Sequence, residues 1–285
     1  MSSANVQVAS EKQRAAVRDA AGFTGAGLFD ALHAEWTKLR TVSGPAWLLL
    51  GIAALTIGIG AAAVGATHCP AGTQCAVDPT KLSLTGVQFG QAVVAILAVL
   101  VICNEYSTGM IRVTLAAMPR REVVYAAKAI LVASLVVVAA AVAVFGSVLA
   151  GHLILPGHGF TTARGFHIAL TYGPTVRAAV GSVLYLGLIA LLGLGIAAII
   201  RDSAMSIGAV LAVLYLFPIV LVFINDPTWQ HRLQRWTPTN AGLTILDTTN
   251  MRSLDIGPWG GLGVLAIWAG AALVLGGLVL RFKDA

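Results

Sequence analysis

Charged side chains are scarce in this sequence. Asp, Glu, Lys and Arg make up 11% of its 285 residues, whereas a typical soluble domain carries about 25%. Long stretches contain none, and 58% of the residues are hydrophobic. This composition excludes an ordinary soluble domain and indicates a membrane protein, embedded in a lipid bilayer. The net charge of +6 then reflects Lys and Arg placed in loops. Since no basic stripe alternates with aromatic residues, we expect no nucleic-acid partner.

Catalytic motifs are also missing. The chain contains no phosphate-binding G-x-x-x-x-G-K-[ST] loop, no G-x-S-x-G and no H-E-x-x-H. The interiors of its apolar runs lack the ionisable residues that proton relays, voltage sensors and ion-coupled carriers keep there. His152, His158 and His167 fit solvated loop histidines better than metal ligands. We therefore predict no enzyme activity, no catalytic residue, no metal site and no cofactor in this chain.

What the sequence does contain is a series of apolar runs of spanning length. They predict an all-α polytopic membrane protein with six transmembrane helices. Residues 1–25 are predicted to be a flexible cytoplasmic tail, and residues 26–285 to form the transmembrane domain. The third run exceeds the length needed to cross a bilayer, so we expect it to tilt or project. The predicted spans are 46–66, 87–103, 127–153, 178–200, 204–224 and 259–280.

An amphipathic segment at 26–41 precedes the first run and predicts an interfacial helix with Trp36 at headgroup depth. The alternative is an N-terminal extension of the first span, but Gly44-Pro45 favours a break between the two.

Lys and Arg set the predicted orientation. With six spans both termini lie on one side, and a cytoplasmic N-terminus gives twelve basic residues inside and six outside. The positive-inside rule therefore predicts a multi-pass plasma-membrane protein with both termini in the cytoplasm. The inner residues are Lys12, Arg14, Arg18, Lys38, Arg40, Arg112, Arg120, Arg121, Lys128, Arg201, Arg281 and Lys283, and the outer ones are Lys81, Arg164, Arg177, Arg232, Arg235 and Arg252.

The predicted outer loops contain two features. Cys69 and Cys75 are a candidate disulfide on the oxidising side, the alternative being two free thiols. Residues 239–246 in the long last loop predict a short apolar helix that re-enters the outer leaflet, rather than an exposed loop.

A short polar segment, 104–122, separates the second and third runs. Ser107 or Thr108 is predicted to cap a small helix at about 108–118, and Pro119 to end it. Ile111, Leu115 and Met118 share one face of this helix. Because an apolar stripe beside a membrane must be buried, we predict that a cytoplasmic partner covers it. Glu105 and Arg112 are predicted to lock the helix to the membrane base, the alternative being interfacial snorkelling.

Several short motifs stand in a fixed order along the chain. They are Glu35-Trp36-Thr37-Lys38-Leu39-Arg40; Glu105-Tyr106, Gly109, Ile111-Arg112, Thr114-Leu115 and Pro119-Arg120-Arg121; Arg201-Asp202-Ser203-Ala204; Pro238-Thr239-Asn240-Ala241-Gly242; and the tail from Arg281 to Ala285. In this order they resemble the ABC-2 type permeases of actinobacteria, the membrane subunits of ATP-binding-cassette exporters. The resemblance covers nearly the whole chain after the N-terminal tail.

The resemblance implies a type V exporter-like transmembrane domain. The helix after the second span would be the coupling helix, docking on a separate ATPase subunit that binds ATP and Mg. Two ATPase subunits and a second permease subunit, a homodimer copy or a paralogue, are implied as partners. The predicted function is efflux of a lipophilic or amphipathic substrate, as in multidrug or lipid export. The alternatives are an ATPase-coupled immunity or sensor subunit without net transport, a passive channel, and a disfavoured intramembrane enzyme.

Overall fold

The computed structural model describes residues 27–70, 77–117, 120–160, 172–223, 226–249 and 256–282. Every element within these ranges is helical, as predicted. The predicted tail lies outside the described residues. The helices are α1 Leu28–Thr41, α2 Ser43–Ala66, α3 Pro79–Ser83, α4 Val87–Ser107, α5 Met110–Ala117, α6 Arg121–Ile154, α7 Gly173–Ile200, α8 Ser203–Leu211, α9 Phe217–Val222, α10 Pro227–Trp236, α11 Pro238–Leu243 and α12 Pro258–Phe282.

The described residues contain six helical segments long and apolar enough to cross a membrane, which confirms the predicted number. Five are α2, α4, α6, α7 and α12, and the remaining one joins α8 to α9. The observed helices are mostly longer than the apolar runs. α6 has 34 residues, or about 51 Å at 1.5 Å per residue, so it exceeds the roughly 30 Å hydrocarbon layer.

α7 lies at the centre of the bundle, and α4 packs beside it. Both bury more of their apolar residues than α2 or the α8–α9 segment, which surround them. Small residues let α7 approach α12 closely, because a Cβ atom added at Gly195 would come within 2.5 Å of the Ala272 backbone. The outer surface carries exposed apolar side chains such as Trp47, Leu50 and Met205, as expected for a surface in contact with lipid.

The α8–α9 segment contains a π-helical turn, Ala212–Leu216, just before Pro218. A proline has no N–H to donate to the carbonyl four residues earlier, which here is that of Leu214. The Thr239 hydroxyl, from α11, donates to this carbonyl at 2.9 Å. The hydrogen bond satisfies a backbone acceptor at membrane depth and fixes α11 against the bundle.

α11 and the 3-10 turn that follows it, Thr244–Leu246, are largely buried. They pack against α7 and α12, and Ile245 is fully buried. The segment predicted to re-enter the bundle is therefore helical and enclosed by protein.

We call the end of the bundle that contains Thr41, Ser107, Arg121, Arg201 and Phe282 the base. The ends of α1, α4, α6, α7 and α12 meet there, together with α5. The C-terminal ends of α2, α6 and α9 lie at the opposite end. The candidate site is built at the base.

Candidate functional site

Four charged side chains form a compact cluster at the base, which we call the charge quartet: Glu35, Lys38, Glu105 and Lys128. Lys128 donates to Glu35 Oε2 and, at 2.7 Å, to Glu105 Oε1. Lys38 donates to Glu35 Oε1 at 2.9 Å and to Glu105 Oε1 at 3.0 Å. Two ammonium groups therefore alternate with two carboxylates, and the formal charges cancel.

The quartet is buried and draws on three helices. Glu35 and Lys128 are each 3% exposed and Glu105 is 8% exposed. Glu35 and Lys38 come from α1, Glu105 from the last turn of α4, and Lys128 from two turns inside α6. A buried ion pair adds little net stability, but losing one partner is costly because the other charge stays buried. The quartet therefore specifies one arrangement of α1, α4 and α6.

Lys38 is the more exposed of the two ammonium groups, with 29% of its side chain accessible. Burial opposes its charged form, but the hydrogen bonds from Lys38 to Glu35 and Glu105 outweigh that effect. The net result is a pKa of Lys38 above its ordinary value, so this lysine stays charged at neutral pH.

Glu105 and Arg112 were predicted to lock α5 to the membrane base. Glu105 pairs there with Lys38 and Lys128, and the side chain of Arg112 lies outside the described part of the chain. Lys128 was predicted only as one of the inner basic residues, at the start of the third span, although a lone lysine within the apolar stretch 123–140 was a signal that it enters the bundle.

The connection between α4 and α5 is a tight turn. Gly109 has φ 71, a left-handed conformation that glycine adopts without steric cost. The Thr108 and Ser107 hydroxyls both donate to the Asn104 carbonyl, at 2.7 and 3.1 Å. Ser107 and Thr108 were predicted to cap the start of α5. That prediction is wrong, because their hydroxyls satisfy the end of α4.

α5 is attached to the base by one face. Ile111 is only 7% exposed, and Lys38 donates to the Thr114 hydroxyl at 2.9 Å. Among the described side chains of α5, the exposed large apolar ones are Met110, at 45%, and Val113, at 68%. A partner was predicted to cover Ile111, but Ile111 is already covered by its own chain. The side chain of Leu115 and all of Met118 and Pro119 lie outside the described residues.

Two arginines bind the end of α12. Arg121 Nη1 donates to the Leu280 carbonyl at 3.2 Å, and Arg201 Nη2 to the Val279 carbonyl at 3.0 Å. Both carbonyls belong to the last turn, where backbone acceptors lack intrahelical partners and cations are favoured. The Arg201 guanidinium also lies over the Tyr106 ring, 5.3 Å from its centroid. These contacts fix α12 to the same base as the quartet.

The remaining residues predicted for the interfacial helix lie on α1, which begins at Leu28 and ends at Thr41. Trp36 is 44% exposed, and Arg40 is exposed whereas Leu39 is half-buried. The break before α2 is at Val42, which has an extended backbone (φ −102, ψ 125). The prediction of a break is confirmed, but Gly44 and Pro45 belong to the first turn of α2.

A groove of about 400 Å³ opens beside the quartet, between α1, the start of α2 and the end of α4. Leu48, Leu97 and Val101 contribute apolar walls, and Lys38 and Glu105 line its polar side. Ligand pockets commonly measure about 300–1,000 Å³ and combine such walls with a few polar groups.

At the opposite end, hydrogen bonds and an ion pair join residues that follow α2 to residues that precede α12. The Asp78 carboxylate accepts from the Thr248 hydroxyl at 2.7 Å and the Thr249 backbone N–H at 3.0 Å. Burial favours the neutral acid, but these hydrogen bonds, with those from the Thr248 and Lys81 backbone, hold the pKa of Asp78 below its ordinary value. Lys81 also pairs with Asp247 at 2.5 Å. The connection after α2 is thus bound to the one before α12.

Cys69, His68 and His158 also lie at this end of the bundle. Cys69 is buried and disulfide-bonded, whereas Cys75 lies outside the described residues, as does His167. The His158 and His68 rings stack with centroids 4.3 Å apart, and their Nδ1 atoms are 2.8 Å apart. Within the described ranges, no group of three or more His, Cys, Asp or Glu is arranged to hold a metal ion.

Neither the protein-family models nor the curated proteins contain a match to this chain.

Proposed function

We propose that this chain is the membrane subunit of an ATP-driven exporter of the ABC-2 type. α5 would be the contact helix for a separate ATPase subunit, which binds ATP and Mg. The observation that carries the proposal is the two-sided character of α5. Val113 and Met110 are exposed, while Ile111 and Thr114 join the helix to the base. A partner that pushes on the exposed side would therefore act on α1, α4 and α6 together.

In this proposal the protein lies in the plasma membrane, and the base and both termini face the cytoplasm. The excess of Lys and Arg in the segments at that end supports this orientation. By analogy with ABC-2 permeases, two ATPase subunits and a second membrane subunit would complete the transporter. A maleimide that cannot cross the membrane should label Arg120→Cys, an exposed position, only after the cells are permeabilised. Labelling in intact cells would refute the orientation.

The proposed substrate is lipophilic or amphipathic. The groove beside the quartet supports this choice, because apolar walls formed by Leu48, Leu97 and Val101 meet a charged edge at Lys38 and Glu105. A hydrocarbon group fits the walls, and a polar headgroup fits the edge.

The coupling step is tested with Val113→Asp. The variant adds a charge to an exposed position on α5 and removes no buried contact, so the protein should fold and melt like the wild type. ATP hydrolysis by the co-expressed ATPase should no longer be stimulated by the membrane subunit. Phe29→Asp is the matched control, because Phe29 is 86% exposed and lies on α1, outside both α5 and the groove. Ile111→Asp is unsuitable, since it buries a carboxylate and destabilises the fold.

Wild-type stimulation in folded Val113→Asp protein would refute the role of α5. Transport into sealed vesicles separates export from an immunity or sensor function, which would hydrolyse ATP without moving substrate. Conductance that persists without nucleotide would indicate a passive channel.

A further inference from the structure

Two histidine side chains, His68 and His158, meet at the end of the bundle opposite the base, and we call them the histidine pair. His68 follows α2, and His158 is the last residue of a 3-10 turn, Leu155–His158, that follows α6. The ring centroids are 4.3 Å apart, but the Nδ1 atoms are only 2.8 Å apart. Because the nitrogens are closer together than the ring centres, the Nδ1 edges of the two rings are turned toward each other.

The backbone holds the two rings in this position. The Cys69 N–H donates to the His158 carbonyl at 2.9 Å, so the residue after His68 is bound to His158 itself. Cys69 is also buried and disulfide-bonded. After His158 the chain turns at Gly159, which has φ 89, a left-handed conformation that glycine adopts without steric cost. The histidine pair is therefore preorganised by two fixed segments.

The pair needs a positive charge or a proton between its nitrogens. Each Nδ1 of a neutral imidazole carries either a lone pair or a hydrogen, and two lone pairs or two hydrogens at this spacing would repel each other. His68 is exposed and His158 is half-buried, so solvent and ions reach the rings. Among the described residues, no third His, Cys, Asp or Glu joins them to form a larger group.

We propose that the histidine pair binds a divalent transition-metal ion, Cu²⁺ in preference to Zn²⁺. Imidazole nitrogen is a ligand that suits both ions. Ligands at right angles around a metal are about 2.8–2.9 Å apart, whereas tetrahedral ligands are about 3.3 Å apart, at metal–nitrogen distances of about 2.0 Å. The observed 2.8 Å therefore fits two adjacent positions of the tetragonal geometry of Cu²⁺ and not the tetrahedral geometry of Zn²⁺. Water fills the remaining positions on the exposed side.

A shared proton is the other possible occupant. One Nδ1–H would then donate to the other Nδ1. When Cu²⁺ binds, this proton leaves Nδ1 and Nε2 of the same ring takes one up from solvent, so both rings stay neutral and both Nδ1 lone pairs reach the metal. No electron is transferred. Among the divalent first-row ions a nitrogen site favours Cu²⁺ most, and the disulfide at Cys69 indicates an oxidising compartment, where copper is Cu²⁺.

Bound metal would join the segment after α2 to the turn after α6. Because an ion that binds only the folded protein stabilises it, Cu²⁺ should raise Tm. The proposal is independent of the export function, since it concerns the end of the bundle opposite α5 and the charge quartet.

Electron paramagnetic resonance of the whole chain tests the site. The protein is purified in detergent without a polyhistidine tag and mixed with one equivalent of CuCl₂ at about pH 7.5, where imidazole is mostly neutral. The spectrum should be tetragonal, with coupling to the nitrogens of two imidazoles. His68→Gln and His158→Gln should each weaken Cu²⁺ binding by more than about tenfold, since even residues that only support a metal ligand are worth that much. His33→Gln is the matched control, because His33 is exposed on α1, and it should bind Cu²⁺ like the wild type.

Several results would overturn the proposal. They are wild-type protein that takes up no stoichiometric Cu²⁺, as expected if the pair only shares a proton, and wild-type affinity in either His68→Gln or His158→Gln. Tighter binding of Zn²⁺ than of Cu²⁺ would refute the right-angled geometry. One measurement does not depend on any variant folding. Because protons compete with metal for the imidazole nitrogens, Cu²⁺ should leave the wild-type protein at about pH 5, and unchanged binding there would refute histidine ligation.

Discussion

Replacing Lys128 by methionine tests the charge quartet most directly. Methionine keeps a long, unbranched side chain and removes the ammonium group that contacts both carboxylates. Glu35 and Glu105 would then share only Lys38, which is partly exposed and also binds Thr114. Two carboxylates would stay buried with one cation between them. Removing one partner of a buried ion pair costs about 3–5 kcal/mol, and we expect a loss of that size.

The assay is thermal unfolding of the purified protein in detergent. For a protein somewhat smaller than this one, each kcal/mol corresponds to about 2–4 °C, so Tm should fall by roughly 6–20 °C. The control is Glu122→Gln, which removes the exposed pair with Arg281 at 3.3 Å. An exposed pair contributes about 0–1 kcal/mol, so this variant should melt almost like the wild type.

Adding Glu105→Gln to Lys128→Met supplies the second half of the test. The amide removes one of the two uncompensated carboxylates, so the double variant should be more stable than Lys128→Met alone. A Lys128→Met protein that melts within about 2 °C of the wild type would refute the quartet, and so would a further large loss in the double variant.

Two other predictions concern the rest of the bundle. Thr239→Val should destabilise the protein by about 1–3 kcal/mol because the Leu214 carbonyl loses its donor. The loss should be smaller in a Pro218→Ala background, where residue 218 regains a backbone N–H. Equal losses in thermal melts of the two backgrounds would contradict this account. Asp78 has a lowered pKa, so its stabilising effect is complete above the ordinary value and is lost as the pH falls through the lower, folded one. As the pH falls below about 4, Tm should therefore drop by less in Asp78→Asn than in the wild type, and identical pH profiles would contradict this role.

The helical fold and the number of spans could be predicted because lipid imposes them on the sequence. A run of apolar residues of spanning length has few structural alternatives. The ends of the helices were harder to predict, because polar residues can extend a helix beyond its apolar part. α6 begins at Arg121, six residues before the predicted span, so Lys128 lies two turns inside the helix and not at its start.

The site was predictable in location but not in its contacts. The motifs predicted that Glu35, Lys38 and Glu105 lie at one end of the bundle, and in the structure they do. Their pairing depends on how α1 lies against α4 and α6, and helical periodicity within one segment does not specify that. For the same reason the burial of Ile111 by its own chain could not be predicted. The sequence shows that Ile111 belongs to an apolar stripe but not which surface covers it.

Lys38 makes hydrogen bonds of different strength to the quartet and to α5. Lys38 donates to two carboxylates, and the attraction between opposite charges, which a neutral hydroxyl does not supply, adds to these hydrogen bonds. It reaches α5 through a single hydroxyl, that of Thr114. Among the described contacts, the bond from Lys38 to Thr114 is therefore weaker than the bonds within the quartet, which hold α1, α4 and α6 together. If a partner moves α5 as proposed, the bond to Thr114 should break before the quartet does.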